Sequence, residues 1–100
     1  DDGIVHRLEV SVISGNPSRI GSDVQIRVDC PRSTSGRVAV YDVGGRIVHE
    51  LRVLGFKAGK NIVSWDGRGD SGHWVVGGVY FIRVGVEGEG SDVVRLVVVG

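Results

Sequence analysis

Apolar and polar positions alternate in short runs along most of the chain, and Gly, Asn, Asp, Ser and Pro cut the runs apart. Val24-x-Ile26-x-Val28 is the cleanest of these. A period of two places one face of a strand against a core and the other in water. Seven strands are predicted on this basis, over residues 8–13, 24–28, 37–42, 46–54, 59–65, 79–86 and 92–99. Val38 and Val40 share a face of the third, and Asn61, Val63 and Trp65 share a face of the fifth. Gly15-Asn16-Pro17 ends the first strand, and Pro17 biases Asn16 toward an extended conformation. Cys30-Pro31 stops the second. Gly44-Gly45 offers the positive φ angles of a hairpin turn, and Gly88, Gly90 and Ser91 turn the sixth strand into the seventh.

No eleven-residue window shows a helical period, and glycine, of which there are 17, destabilises a helix interior by about 1 kcal/mol per residue. The expectation is an all-β chain, an immunoglobulin-like β-sandwich of about seven strands, with a small barrel as the competing architecture. At 100 residues this is one domain. Residues 1–7 read as an N-terminal tether, frayed over Asp1 to Gly3, and residues 8–100 as the sandwich.

Composition narrows the partners. Twelve basic and twelve acidic residues give a formal net charge of zero, which argues against nucleic acid or an anionic membrane as the main partner. The apolar runs are too short to span a bilayer. Cys30 is the single cysteine, so no internal disulfide forms, and before Pro31 it reads as a small buried hydrophobe. Methionine is absent even from position 1. A processed form, or a domain of a longer polypeptide, is therefore expected.

The candidate chemistry gathers in Trp65-Asp66-Gly67-Arg68-Gly69-Asp70-Ser71-Gly72. Gly67-x-Gly69-x-x-Gly72 has dinucleotide spacing, but that motif requires a helix directly after it, and His73-Trp74-Val75-Val76-Gly77-Gly78 is a poor helix former. Gly69-Asp70-Ser71-Gly72 looks like a protease nucleophile loop, yet a base must converge on the serine from another segment. Ser71 and His73 in one tight loop are badly placed for that. Arg68-Gly69-Asp70 matches an adhesion signal, although a turn favours Gly and Asp on its own account. Asp66 and Asp70, with Asp42, are hard oxygen donors suited to calcium, the one cofactor considered; short aspartates in turns also cap their own backbone. His6, His49 and His73 are scattered among charged residues and read as solvated, with no zinc spacing. Trp65 ends an alternating strand and reads as core. Trp74 follows a loop and, partly exposed, is the candidate ligand contact.

Three segments together resemble a known family. Asn16-Pro17 follows the first strand. Val40-Tyr41-Asp42-Val43-Gly44-Gly45-Arg46-Ile47-Val48 forms a hairpin of hydrophobic-Tyr-Asp-x-x-Gly-Arg type. Gly59, then Trp65-Asp66-Gly67-x-x-Asp70-x-x-Gly72 and Gly78-Val79-Tyr80-Phe81, carries the most specific pattern. The chain resembles the immunoglobulin-like domain of the flagellar hook-capping protein, also widespread at the C-termini of secreted bacterial proteins. In that second setting it is similar to the type A sorting domain of the type IX secretion system. The resemblance implies a non-enzymatic module, secreted or on the bacterial cell surface. It would serve an upstream domain of the same polypeptide in export sorting, surface attachment or structural support. Its partners would then be export machinery or cell-surface components. Tyr41 and Tyr80 would brace the sandwich, and the edge strands with the valine-rich last strand would form the contact surface. A glycan- or matrix-binding module using Trp74 and the 66–73 loop is the alternative.

Overall fold

Each strand expected from the alternation forms in the computed structural model, whose described residues are 4–100, and no helix occurs among them. Asp1 to Gly3, read above as frayed, lie outside them. The strands are β1 (Glu9–Val12), β2 (Ser18–Arg19), β3 (Val24–Cys30), β4 (Thr34–Asp42), β5 (Ile47–Phe56), β6 (Gly59–Trp65), β7 (Gly78–Val86) and β8 (Gly90–Val99). They make two sheets, one of three strands in the order β1-β3-β6 and one of five in the order β2-β8-β7-β4-β5. The architecture is a sandwich, not a closed barrel.

The two inner faces meet in a single apolar layer. Val24, Ile26, Val28 and Cys30 alternate inward from β3, and Tyr80, Ile82, Val84 and Val86 from β7. Leu8 before β1, Val38 and Val40 of β4, Phe56 at the end of β5, Trp65 at the end of β6, and Leu96 and Val98 of β8 complete it. Burying one such aliphatic or aromatic side chain contributes roughly 1.5–3 kcal/mol, so this layer is the main term holding the sheets together. Burial also pushes the Cys30 thiol above its usual range, with Glu89 and Asp29 adding to the effect.

Several expectations are corrected. Among the described residues the strands number eight, because Ser18–Arg19 pairs parallel with Val98 and Val99. Two residues carry no period, so β2 had no signal in the alternation. Only Gly45 of the Gly44-Gly45 pair has positive φ, at 85°. Asp42 supplies the remainder of that turn, its Oδ1 accepting from the backbone N–H groups of Gly44 and Arg46. Tyr41 does not brace the core. It lies on the outer face of the five-stranded sheet beside Ala39 and Arg37, the phase that an inward Val40 imposes on its neighbour. Tyr80 does brace it, buried and donating its hydroxyl to the Val76 carbonyl at 2.6 Å. Burial, then the nearby Asp42 charge, raises its phenol above the ordinary value.

The valine-rich last strand is not an open edge over its final residues. β7 pairs along one side of β8. On the other, the Asn16 side chain does what a neighbouring strand would do. Its Nδ2 donates to the Arg95 carbonyl at 2.7 Å, and its Oδ1 accepts from the Val97 N–H at 2.9 Å. β2 continues the pairing at Val98 and Val99. Earlier in β8, Asp92 Oδ2 accepts from the Val10 N–H at 2.8 Å and so ties β1 to the seam. Asn16→Ala is expected to cost about 1–2 kcal/mol in urea unfolding, since both bonds are lost together. Asn16→Asp, which keeps only the acceptor, should fall between. A loss under about 0.5 kcal/mol would show that water replaces the amide freely.

Candidate functional site

The loop from Asp66 to Trp74 crosses the end of the sandwich between β6 and β7 and folds against the start of β5. Gly67 and Gly72 hold positive φ, at 83° and 90°, conformations that an L side chain resists. Backbone bonds close the loop on itself: Gly69 N–H to His73 carbonyl, Gly72 N–H to Gly69 carbonyl, and Val75 N–H to Gly67 carbonyl, each at 2.9 Å. A fourth, from Asp70 N–H to the Val48 carbonyl at 2.8 Å, pins it to β5.

Beneath the loop Trp65 is buried as expected, and its indole Nε1 donates to the Arg68 carbonyl at 2.8 Å. His49 was expected to be solvated and is not. It faces inward opposite Val40, stacks on Trp65 with ring centroids 6.0 Å apart, and its Nδ1 lies 3.0 Å from Asp70 Oδ1. The alternation of β5 could have placed His49 on the inner face. Its aromatic partner could not be known before the loop and strand were brought together.

The three tempting motifs are taken up in building this loop. Arg68 turns back over Trp74, its guanidinium carbon 4.8 Å from the ring centroid, and donates to the Gly72 carbonyl at 3.0 Å. Asp70 turns the other way to His49, so the Arg-Gly-Asp ends are both engaged. Ser71 Oγ does approach His73 Nδ1, at 3.4 Å, which the sequence reading did not anticipate. Both groups are exposed, and among the described residues no further bond to the His73 ring orients it. Residues 78–86 are β7, so no helix follows the glycines to receive a pyrophosphate.

The aspartates considered for calcium serve separate local partners. Asp66 Oδ1 caps the Arg68 N–H at 3.0 Å, Asp70 pairs with His49, and Asp42 closes the β4–β5 turn. Among the described residues no three His, Cys, Asp or Glu side chains converge as a metal site. Hydrogen bonds from the Arg46 backbone, helped by its guanidinium, hold the Asp42 carboxyl below its usual range. A depressed folded pKa means stability that is present above the unfolded value of 3.8 and lost as pH falls through the folded one. Asp42→Ala is therefore expected to weaken the fold most near neutral pH and less in acid, below the ordinary carboxylate range. Equal penalties at both would assign the effect to the turn's shape and not its charge.

Trp74 is 51% exposed, the partial exposure expected of it, with Arg68 on its ring, and a Cβ added at Gly21 would touch its six-membered ring. Beside it opens a cleft of about 710 Å³ between the β4–β5 turn and residues 69–80, with Val43, Ile47 and Val76 on its rim and Tyr80 at its base. A second shallow groove, about 810 Å³, lies on the outer face of the five-stranded sheet. Arg37, Arg52 and Arg83 wall it, and Gly36, Ala39 and Gly85 floor it.

Three comparisons bear on this arrangement. The model of the FlgD Ig-like domain family matches residues 15–90. No curated protein matches the chain. Among solved structures, dimeric latent PorU from Porphyromonas gingivalis superposes with a TM-score of 0.73 at 23% identity, covering 96% of this chain and 10% of that one. PorZ of the same organism, described as an essential bacterial surface component of the type IX secretion system, gives 0.62 at 21% over 93% and 11%. FlgD from P. aeruginosa gives 0.64 at 20% over 91% and 72%. At such identities the structural likeness speaks for the fold. The chain spans about a tenth of the PorU and PorZ chains.

Proposed function

The chain belongs to the FlgD Ig-like domain family, and from that premise we propose that it is a non-catalytic accessory module of a larger secreted or surface-attached bacterial protein. Its role is export sorting, surface attachment or structural support of the domain that precedes it. The observation that carries this reading is how the 66–74 loop uses its polar groups. Arg68, Asp70 and Asp66 are bonded within the loop or to the strand beneath it, as in an element built to hold shape. Matches that cover only a tenth of PorU and PorZ support the view of a unit carried within longer polypeptides. PorZ's description as a surface component of a secretion system favours the surface setting. A sugar-stacking role for Trp74 is less favoured, because Arg68 already lies over the ring that a sugar would use.

The test removes this module from the polypeptide that carries it and follows the remaining part by cell fractionation. Retention of the truncated protein inside the cell supports sorting, and its release into the medium supports attachment. Normal delivery to the surface rejects both. Structural support then stands or falls on whether the preceding domain loses thermal stability without its neighbour.

A further inference from the structure

β5 is an outermost strand of the five-stranded sheet and, among the described residues, pairs only with β4. It is ten residues long, and beyond the Val48 carbonyl, which Asp70 occupies, no neighbouring strand among the described residues covers its outer edge. The other edges are blunter. β1 has four residues, with its Val10 N–H already given to Asp92. β6 carries Lys60, a residue type that discourages strand addition.

The side chains of β5 have a symmetry of their own. Glu50 and Arg52 flank Leu51 and point to the outer face, opposite Ala39 and Arg37 respectively. Arg37 and Arg52 are thus like charges directly across from one another, an arrangement that costs stability unless a carboxylate intervenes. Arg37 has Glu50, at 2.9 Å. Arg52 has no ion-pair partner among the described residues. Leu51 faces the core side, yet it is 38% exposed where its register partner Val38 is 2% exposed, so the three-stranded sheet leaves it uncovered.

We propose that the edge of β5 pairs antiparallel with the same edge of a second copy of this chain, about a two-fold axis through Leu51. A two-fold axis perpendicular to a sheet places one residue opposite itself, so the allowed registers step by whole residues. Centring on Glu50 sets Glu50 against Glu50, and centring on Arg52 sets Arg52 against Arg52. Centring on Leu51 sets Glu50 against Arg52 twice over. It also buries the exposed Leu51 side chains on each other and pairs His49 with Val53. Each Arg52 then meets the carboxylate that it lacks within its own chain, and each Glu50 lies between Arg37 and Arg52 of the second copy. The pairing runs over residues 49–53 and stops where the Asp70 loop covers Val48. So short a seam makes a weak, concentration-dependent dimer.

Sedimentation or light scattering of the chain between about 10 µM and 1 mM tests this, a range suited to interfaces below standard size. The expected result is a rise from monomer to dimer mass. Glu50→Arg alone and Arg52→Glu alone should each weaken association roughly tenfold or more, because two opposite-charge pairs become like-charge pairs. Mixing the two single variants should restore a dimer made of one of each, and the double variant should dimerise like wild type. A wild-type mass that stays monomeric throughout overturns the proposal. So do single variants that dimerise unchanged, or a mixture that stays monomeric. Should a variant fail to fold, hydrogen exchange on wild type decides. Protection at residues 49–53 that grows with concentration supports the pairing, and protection that does not change rejects it.

Discussion

Trp65→Ala is expected to lower the stability of the fold by about 4 kcal/mol, the range in which truncation of a buried aromatic falls. Three losses coincide. The indole is 3% exposed at the end of β6 and fills the corner of the core beneath the loop. Its Nε1 proton is the bond that fixes the Arg68 carbonyl. His49 loses the ring on which it stacks, and with it the surface that positions its Nδ1 toward Asp70. The loop should therefore loosen more than the sandwich as a whole. In hydrogen exchange, the amides of Gly69, Asp70 and Val75 should lose protection beyond what the global change explains. Trp65→Phe keeps much of the apolar volume but leaves the Arg68 carbonyl without its donor. It should cost about 1–2 kcal/mol and still expose the same three amides. If Trp65→Ala cost less than about 2 kcal/mol, the loop would be self-supporting through its backbone bonds and the tryptophan incidental to it.

Gly36→Ala should be nearly as damaging, at about 3 kcal/mol, for the opposite reason. A Cβ at this position would stand 2.5 Å from the Gly85 carbonyl oxygen and 2.9 Å from the Phe56 ring. Phe56 is itself buried, and the carbonyl belongs to the β4–β7 ladder, in which Gly36 faces Val86 and Arg37 faces Gly85. Neither neighbour can swing away as a flexible side chain would, so two central strands of the larger sheet must part. Gly36 lies where β4 and β5 shift register, and the missing side chain lets Phe56 close over it. Gly55 provides the control. It lies one residue from Phe56, with nothing within 4 Å of where its Cβ would be, and Gly55→Ala should change stability by less than about 0.5 kcal/mol. Thermal or urea unfolding of the two variants side by side separates steric overlap from any general effect of adding a methyl group. Equal, small effects would show that the ladder has slack at Gly36.

Much of the sandwich was legible because alternation is a local property. Val24, Ile26 and Val28 had to share a face whatever lay opposite them, and so did Asn61, Val63 and Trp65. The same arithmetic placed Tyr41 outside once Val40 was inside. The bracing role expected of Tyr41 came from the family resemblance, and the phase of β4 overrides it. β2 was beyond reach, since Ser18–Arg19 is a strand only because β8 runs beside it. Asn16 was visible as a motif. Its work as a substitute strand was not, because its two partners, Arg95 and Val97, are about eighty residues away along the chain.

The candidate site divides in the same way. The glycines of the 66–74 loop announced a tight turn, and its aspartates announced self-capping, which Asp66 performs with the Arg68 amide. The pairing of Asp70 with His49 and the stacking of His49 on Trp65 came from packing alone. The sequence by itself determined the seven longer strands, their inward faces and the places where the chain must turn, because these follow from side-chain period and the φ range of single residues. Only the tertiary structure decided that β5 is left with an open edge while Asn16 closes β8, and that the loop's charges bond to the loop itself and to the strand beneath it. Those outcomes depend on which distant segments become neighbours, and long-range strand pairing is settled by the burial of whole faces against each other, which no short stretch of sequence encodes.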